Sequence, residues 1–285
     1  MMNIPFKKLH GAGNDFIIIK YESFPYEEKF SELAIRSCHR RFGIGGDGLM
    51  MVGTSQKADF KMYYYNSDGS KANMCGNGIR CFAKFVYDEG LVKTKQFNIE
   101  TLAGIKTVHI KETSSRVDTV NVNMGKMIFE PEKIPVKTEE ITSFINQELK
   151  VEDKTFLIST VLMGVPHTVI FTEDLSLDMV KTIGPIIEKH SIFPENTNVN
   201  FAKILDATHI EVRTWERGAG YTLACGTGVT SVCGIAHHLK LVEEEVWVNT
   251  EGGKLKITID KEGNIDMEGP AEDICCGVYS FNQRD

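Results

Sequence analysis

The sequence predicts an α+β protein of two similar halves, each built on a mixed or antiparallel sheet. Two observations carry that prediction. A set of landmarks recurs at one offset along the chain, and the alternating β-α-β units are too few for a doubly wound parallel sheet.

The landmarks are specific. Met74-Cys75-Gly76-Asn77-Gly78 lines up with Ala224-Cys225-Gly226-Thr227-Gly228, the cysteines standing 150 residues apart. The run ending at Asn66 lines up with the run ending at Glu216, again 150 apart. Gly13-Asn14 matches Pro166-His167 at a shift of 153, and Thr101 to Gly104 matches Thr250 to Gly253 at 149. The halves are read as residues 1–128 and 129–274, with the largely polar stretch Glu130 to Glu148 as the connecting segment.

Each half repeats one order of elements. A β-type run opens it, Asp15 to Tyr21 in the first and Phe156 to Phe171 in the second. Apolar residues at helical spacing follow, over Glu27 to Arg40 and Leu177 to His190. Further β-runs lead to the glycine-flanked cysteine. Beyond it lies one apolar helical face, Ile79, Phe82, Ala83 and Val86 in the first half, Val229, Val232, Cys233, Ala236 and Leu239 in the second. Strand pairs close each half, as at Trp247 to Ile259 and its return, with turns at Gly252-Gly253 and Glu262-Gly263-Asn264.

Composition narrows the function. The chain has 285 residues and a formal charge of −7, a balance that argues against nucleic acid as a partner. No apolar run approaches membrane-spanning length and the N-terminus lacks a signal-peptide pattern, so the expected location is cytoplasmic and no membrane partner is expected. The cysteine count is seven, an odd number that does not suit a disulfide framework in a reducing compartment. Nor do the spacings suit zinc: Cys75 and Cys81 are six apart, Cys225 and Cys233 eight apart, Cys275 and Cys276 adjacent. No metal site is expected.

Gly43 to Gly48 matches the dinucleotide pattern GxGxxG, but a helix precedes it and the β-type run Leu49 to Val52 follows, the reverse of the required context. It reads as a helix-to-strand turn with some glycines at positive φ. The two Cys-Gly-x-Gly segments are the strong signal. Each puts a cysteine at the start of a predicted helix, where outward-pointing N–H groups and the helix dipole stabilise a thiolate or cradle a carboxylate. Cys38, Cys81, Cys233, Cys275 and Cys276 read as ordinary packing residues. Cys75 and Cys225 stand apart because the repeat makes them equivalent, and a pseudo-twofold relation can set them on opposite faces of one cleft. An opposed thiolate and thiol can take a proton from one face of a carbon and return one to the other, which inverts a stereocentre.

Gly11 to Phe16, Asn66 to Ser70, Met74 to Cys81, Gly164 to His167, Asn198-Val199, and Glu216 to Gly228 together resemble the diaminopimelate epimerase family, over both halves and in order. The resemblance implies two pseudo-symmetric domains around a central helix, an active site in the cleft between them, and a C-terminal segment, 275–285, returning to the first domain. It implies a cofactor-independent epimerase that interconverts the LL and meso forms of 2,6-diaminopimelate, a small-molecule amino-acid substrate, for lysine and peptidoglycan biosynthesis, with a homodimer as the only macromolecular partner to consider. Carried over by position, Cys75 and Cys225 are the catalytic groups, with His167 and Glu216 tuning their protonation. Gly76, Asn77, Gly226 and Thr227 hold the reacting carboxylate. Asn14, Asn66, Asn198, Glu216 and Arg217 grip the substrate's far end, Arg217 being suited to a second carboxylate. The family usually has Asn where this chain has Val165, and often Gln at the place of Gly48. A valine cannot hydrogen-bond, so a racemase for another amino acid is the alternative, and a non-catalytic amino-acid-binding protein is the reading from a different class.

Overall fold

The structure, a computed structural model, describes residues 2–114, 116–138 and 142–282. The chain divides into two compact units, residues 1–122 with 269–285, and residues 123–268. The first unit contains β1 (Met2–Gly11), β2 (Asn14–Lys20), α1 (Phe30–Cys38), β3 (Gly48–Gly53), β4 (Phe60–Asn66), α2 (Gly76–Asp88), β5 (Gln96–Thr101), β6 (Gly104–Thr113) and most of β7 (Arg116–Lys126), together with the last strand of the chain, Glu272–Phe281. The second contains β8 (Phe144–Val151), β9 (Lys154–Met163), β10 (Val165–Phe171), α3 (Leu177–Glu188), β11 (Asn198–Asp206), β12 (His209–Glu216), β13 (Gly220–Thr222), α4 (Gly226–His238), β14 (Glu245–Thr250), β15 (Gly253–Ile259) and β16 (Asn264–Gly269).

The repetition is written in the strand pairing. In the first unit the last strand pairs antiparallel with β1; then β1–β2 is antiparallel, β2–β3 parallel, β3–β4 antiparallel, β4–β5 parallel, and β5–β6 and β6–β7 antiparallel. In the second, β8–β9 and β9–β10 are antiparallel, β10–β11 parallel, β11–β12 antiparallel, β12–β14 parallel, and β14–β15 and β15–β16 antiparallel. The orders are the same. Each parallel step is bridged by a helix, as a parallel pair requires, which places α1 and α3 at the first step and α2 and α4 at the second. The sheets are therefore mixed. The last strand completes the first unit at the place β8 occupies in the second.

Several expectations shift. The β-run over Phe156 to Phe171 is two antiparallel strands, because Gly164 at φ +73° reverses the chain between them. Phe144 to Glu148, assigned to the connecting segment, lies in β8, while 139–141 of that segment and 283–285 of the C-terminal return lie outside the described residues. Cys275 and Cys276 are exposed on the last strand rather than packed. The helix after Cys75 is not simply amphipathic: every residue from Gly76 to Val86 is buried, Arg80 and Lys84 included. Those two charges are answered inside the unit. Arg80 donates to the carbonyls of Gly76 and Pro270, both at 3.1 Å, and Lys84 pairs with Asp88 at 2.5 Å and Asp273 at 3.1 Å. A helix that is buried around its circumference can hold its N-terminal cysteine still.

The turn at Gly43 to Gly48 is as the context implied, with Gly45 at φ +80° between the end of α1 and the start of β3. In the first unit, Phe24, Phe30, Leu33 and Ala34 pack against Ile17, Ile19 and Leu49. In the second, Val180, Ile183 and Ile187 pack against Val199 and Phe201.

Candidate active site

Cys75 is the N-cap of α2, with extended backbone (φ −134°, ψ 125°), and its Sγ accepts the Gly78 N–H at 3.4 Å. The same sulfur donates to Asn14 Oδ1 at 3.4 Å. Asn14 opens β2, and its Nδ2 donates to Asp47 Oδ2 at 2.5 Å. Gly76 and Asn77 form the first turn of α2, where N–H groups point out along the axis. Asn66, at the end of β4, is turned toward Ser70, to whose Oγ its Nδ2 donates at 3.0 Å.

In the second unit Cys225 is the N-cap of α4 and is buried, with Thr227 Oγ1 3.5 Å from its sulfur. Burial pushes the thiol well above its ordinary range, and the Glu216 carboxylate that accepts its hydrogen bond pushes it further. Thr227 and the Gly228 N–H act the other way and do not prevail. Cys225 is therefore protonated here. Glu216 is held in turn by Thr222, whose hydroxyl donates to Oε1 at 2.6 Å.

His167 is wholly buried in β10, with its Nδ1 3.3 Å from Asn200 Nδ2. The orientation of Asn200 is set by two other bonds: Oδ1 accepts the Thr214 hydroxyl at 3.1 Å, and Nδ2 donates to the Thr168 carbonyl at 3.2 Å. His167 Nδ1 is thus an acceptor, and the neutral ring carries its proton on Nε2. That Nε2 is buried without a hydrogen-bond partner among the described residues, a group that a bound molecule could satisfy. Burial, with the charge of Arg217 as a lesser cause, lowers the imidazole from its ordinary 6.5 to about 3. Between those pH values the unfolded chain binds the proton that the folded chain refuses. Stability from this residue is complete above about pH 6.5 and falls as pH drops toward 3, by up to about 1.4 kcal/mol per pH unit. A His167→Asn variant is expected to show a shallower loss of melting temperature across that window; equal acid slopes would contradict the buried neutral ring.

Asn198 joins three segments. Its Nδ2 donates to the Pro166 carbonyl at 3.0 Å and its Oδ1 accepts the Arg217 N–H at 2.9 Å. Its amide thereby shapes the Arg217 loop, with one donor and one acceptor position left over. Arg217 is half-buried, donating through Nη1 to the Glu195 carbonyl at 2.7 Å. Val165 opens β10 beside Pro166 and is also half-buried.

Within each unit the structure therefore brings together Cys75 with Asn14, and Cys225 with Glu216 and Thr227, while His167 and Asn198 stand on the paired strands β10 and β11 and Arg217, just past β12, is held by Asn198. Sequence reasoning passed over Asp47, Asn200 and Thr222, each of which contacts a predicted site residue, and Thr214, which fixes Asn200. Asn200 had a usable signal: it lies two residues after Asn198 on the same strand face. Cys38, Cys81 and Cys233 are also buried. Burial raises Cys38 and Cys81 to about 12 and raises Cys233 as well.

Comparison with known proteins bears on what this arrangement serves. The diaminopimelate epimerase family profile matches residues 6–130 and 159–274. The chain belongs to the diaminopimelate epimerase family. The diaminopimelate epimerase of Alkaliphilus metalliredigens is 62% identical over 278 residues, 98% of each chain. That of Clostridium perfringens is 47% identical over 97% of this chain and 99% of its own. A phenazine biosynthesis protein of the PhzF family from Bacillus anthracis shares the fold, at TM-score 0.74 and 19% identity over 99% of this chain and 100% of its own. Membership of the diaminopimelate epimerase family makes the chain an isomerase.

Proposed function

We propose that the chain inverts one α-carbon of 2,6-diaminopimelate, interconverting the LL and meso forms in lysine and peptidoglycan biosynthesis, with Cys75 and Cys225 as the two acid–base groups. The observation that supports this most strongly is the duplication of one half-site: a glycine-flanked cysteine capping a buried helix in each of two units with one strand order. One thiolate removes the α-proton and the opposite thiol delivers another, and the reverse reaction exchanges their roles. Cys225, kept protonated beside Glu216, enters as the proton donor. Cys75 then starts as the base in that direction.

The α-proton of an amino acid is a very weak acid, so much of the barrier must be lowered by stabilising the carboxylate that takes up charge. The N–H groups of Gly76, Asn77, Gly226 and Thr227, at two helix N-termini, supply that stabilisation. The Nε2–H of His167 offers a further donor. Arg217, with the backbone that Asn198 holds, receives the distal carboxylate, and Glu216 the distal ammonium group as well as the thiol. Asn14 and Asn66 complete the binding surface.

Val165 favours a second reading, a racemase for another amino acid, because it places an apolar side chain where the family usually offers an amide. One experiment separates them. The protein is incubated in heavy water with LL-diaminopimelate and with a panel of monocarboxylic amino acids, and deuterium at the α-carbon is followed. Incorporation confined to diaminopimelate is expected. Faster exchange in a monocarboxylic substrate would favour the second reading, and no exchange in any would favour a binding protein.

A further inference from the structure

We infer that Asp47 is a positioning residue that fixes the Asn14 amide with its carbonyl oxygen, rather than its NH2, toward the Cys75 sulfur. The inference rests on the reading of Cys75 as an acid–base group and adds a residue that the motif comparison leaves aside. An asparagine amide presents an acceptor or a donor depending on a half-turn about its last bond, and an isolated amide has little reason to choose. Here the choice is made by contact. Nδ2 is taken by Asp47 Oδ2 at 2.5 Å, which leaves Oδ1 3.4 Å from Cys75 Sγ. Asp47 cannot turn away easily: its Oδ1 accepts from Arg40 at 2.7 Å and its Oδ2 also accepts the Asp15 N–H at 3.1 Å. Arg40 is itself anchored by two bonds to Asp15, at 2.8 and 3.1 Å, and Asp15 by Lys8 at 2.9 Å. The glycine-rich turn that resembles a nucleotide loop thus has another use: it carries Asp47 from the end of α1 to the start of β3, beside the first residue of β2.

The orientation matters chemically. An acceptor oxygen beside sulfur favours the thiol and makes the thiolate a stronger base, which suits removal of a weakly acidic α-proton. A flipped amide would donate to the thiolate and weaken it. Among the described residues, charged or titratable groups close to this arrangement include Arg80 and the Cys81 thiol on the helix of Cys75, with Asp15, Arg40 and Lys8 behind Asp47 and His10 bonded to the Gly13 N–H beside Asn14. All of these remain in the test variants.

The test is the pH dependence of iodoacetamide alkylation at Cys75, read by mass spectrometry of its peptide, in wild type, Asp47→Asn, Asn14→Leu and the double variant. Asp47→Asn is expected to lower the alkylation midpoint by roughly half a pH unit or more. It should also lower kcat by about tenfold. In the Asn14→Leu background the same substitution should move the midpoint no further. An unshifted midpoint in Asp47→Asn, or an equal shift with and without Asn14, would overturn the inference; the second result would mean that Asp47 acts through its charge alone. Alkylation needs no turnover, so the result stands apart from the identity of the substrate. The unaltered protein supplies a check that survives a misfolded variant: one Asn14 side-chain amide proton should resonate downfield and exchange slowly by 15N NMR. Two equivalent, fast-exchanging protons would refute the contact.

Discussion

Replacing either Cys75 or Cys225 by alanine is expected to lower the rate of α-carbon inversion by at least about 10³-fold, within the range for loss of a positioned acid–base group. Inversion needs a proton removed from one face and one delivered to the other, so neither cysteine can stand in for its counterpart. The double variant should be no slower than the slower single variant, because the two groups act as a unit and the first deletion already removes the pathway. Serine is expected to rescue neither, since its hydroxyl is far less acidic than a thiol. Loss of fold is checked directly. Cys75 is only half-buried, and Cys225, though buried, is small and caps a helix already enclosed along its length. Chiral chromatography of the diaminopimelate isomers gives the rate, and thermal melting reports the fold. A single alanine variant that kept wild-type inversion would sink the two-cysteine assignment.

The repeat was legible because it rests on short, unusual strings, but the strand order was not: the sequence indicated a mixed or antiparallel sheet without saying which strands pair in parallel. Both cysteines were legible for the same reason, each being marked by its own glycines. The residues that orient them were not. Asp47 meets Asn14, and Asn200 meets His167, only because β2 lies parallel to β3 and β10 to β11 in one register. Hydrophobic patterning sets which face of a strand is buried, but it does not reveal which polar side chains meet across a parallel pair. Gly164 was hidden by the apolar residues around it, since a continuous β-type run and a tight reversal between two buried strands look alike. Arg80 and Lys84 disguised a helix buried from Gly76 to Val86 as an amphipathic one. The carbonyl of Pro270 and the carboxylate of Asp273 that answer them are some 190 residues away in sequence.

Gly228→Ala is expected to be among the most damaging single-atom additions in the chain, and its counterpart Gly78→Ala much milder. A Cβ at Gly228 would lie 2.3 Å from Asn200 Oδ1 and 3.2 Å from the Cys225 Cβ. Asn200 has no room to yield. It is wholly buried, and three hydrogen bonds, with Thr214, Thr168 and His167, define its position. Pushing it aside breaks the acceptor bond from Thr214 and frees the ring of His167, whose tautomer depends on Asn200. The start of α4 would move instead only by displacing the Gly228 N–H from Cys225 and shifting the carboxylate-binding turn. Overpacking of this kind costs about 1–3 kcal/mol, with the orphaned polar groups adding about 1–3 kcal/mol more. At Gly78 the nearest atom is Met50 Cε at 2.2 Å, the far end of a flexible side chain that can rotate away, followed by Phe16 at 3.2 Å. Thermal melting of the two variants, with inversion rates alongside, tests the contrast. Gly228→Ala should lose both stability and activity, while Gly78→Ala should keep most of its stability. Equal melting temperatures would show that Asn200 is not the rigid partner its hydrogen bonds describe.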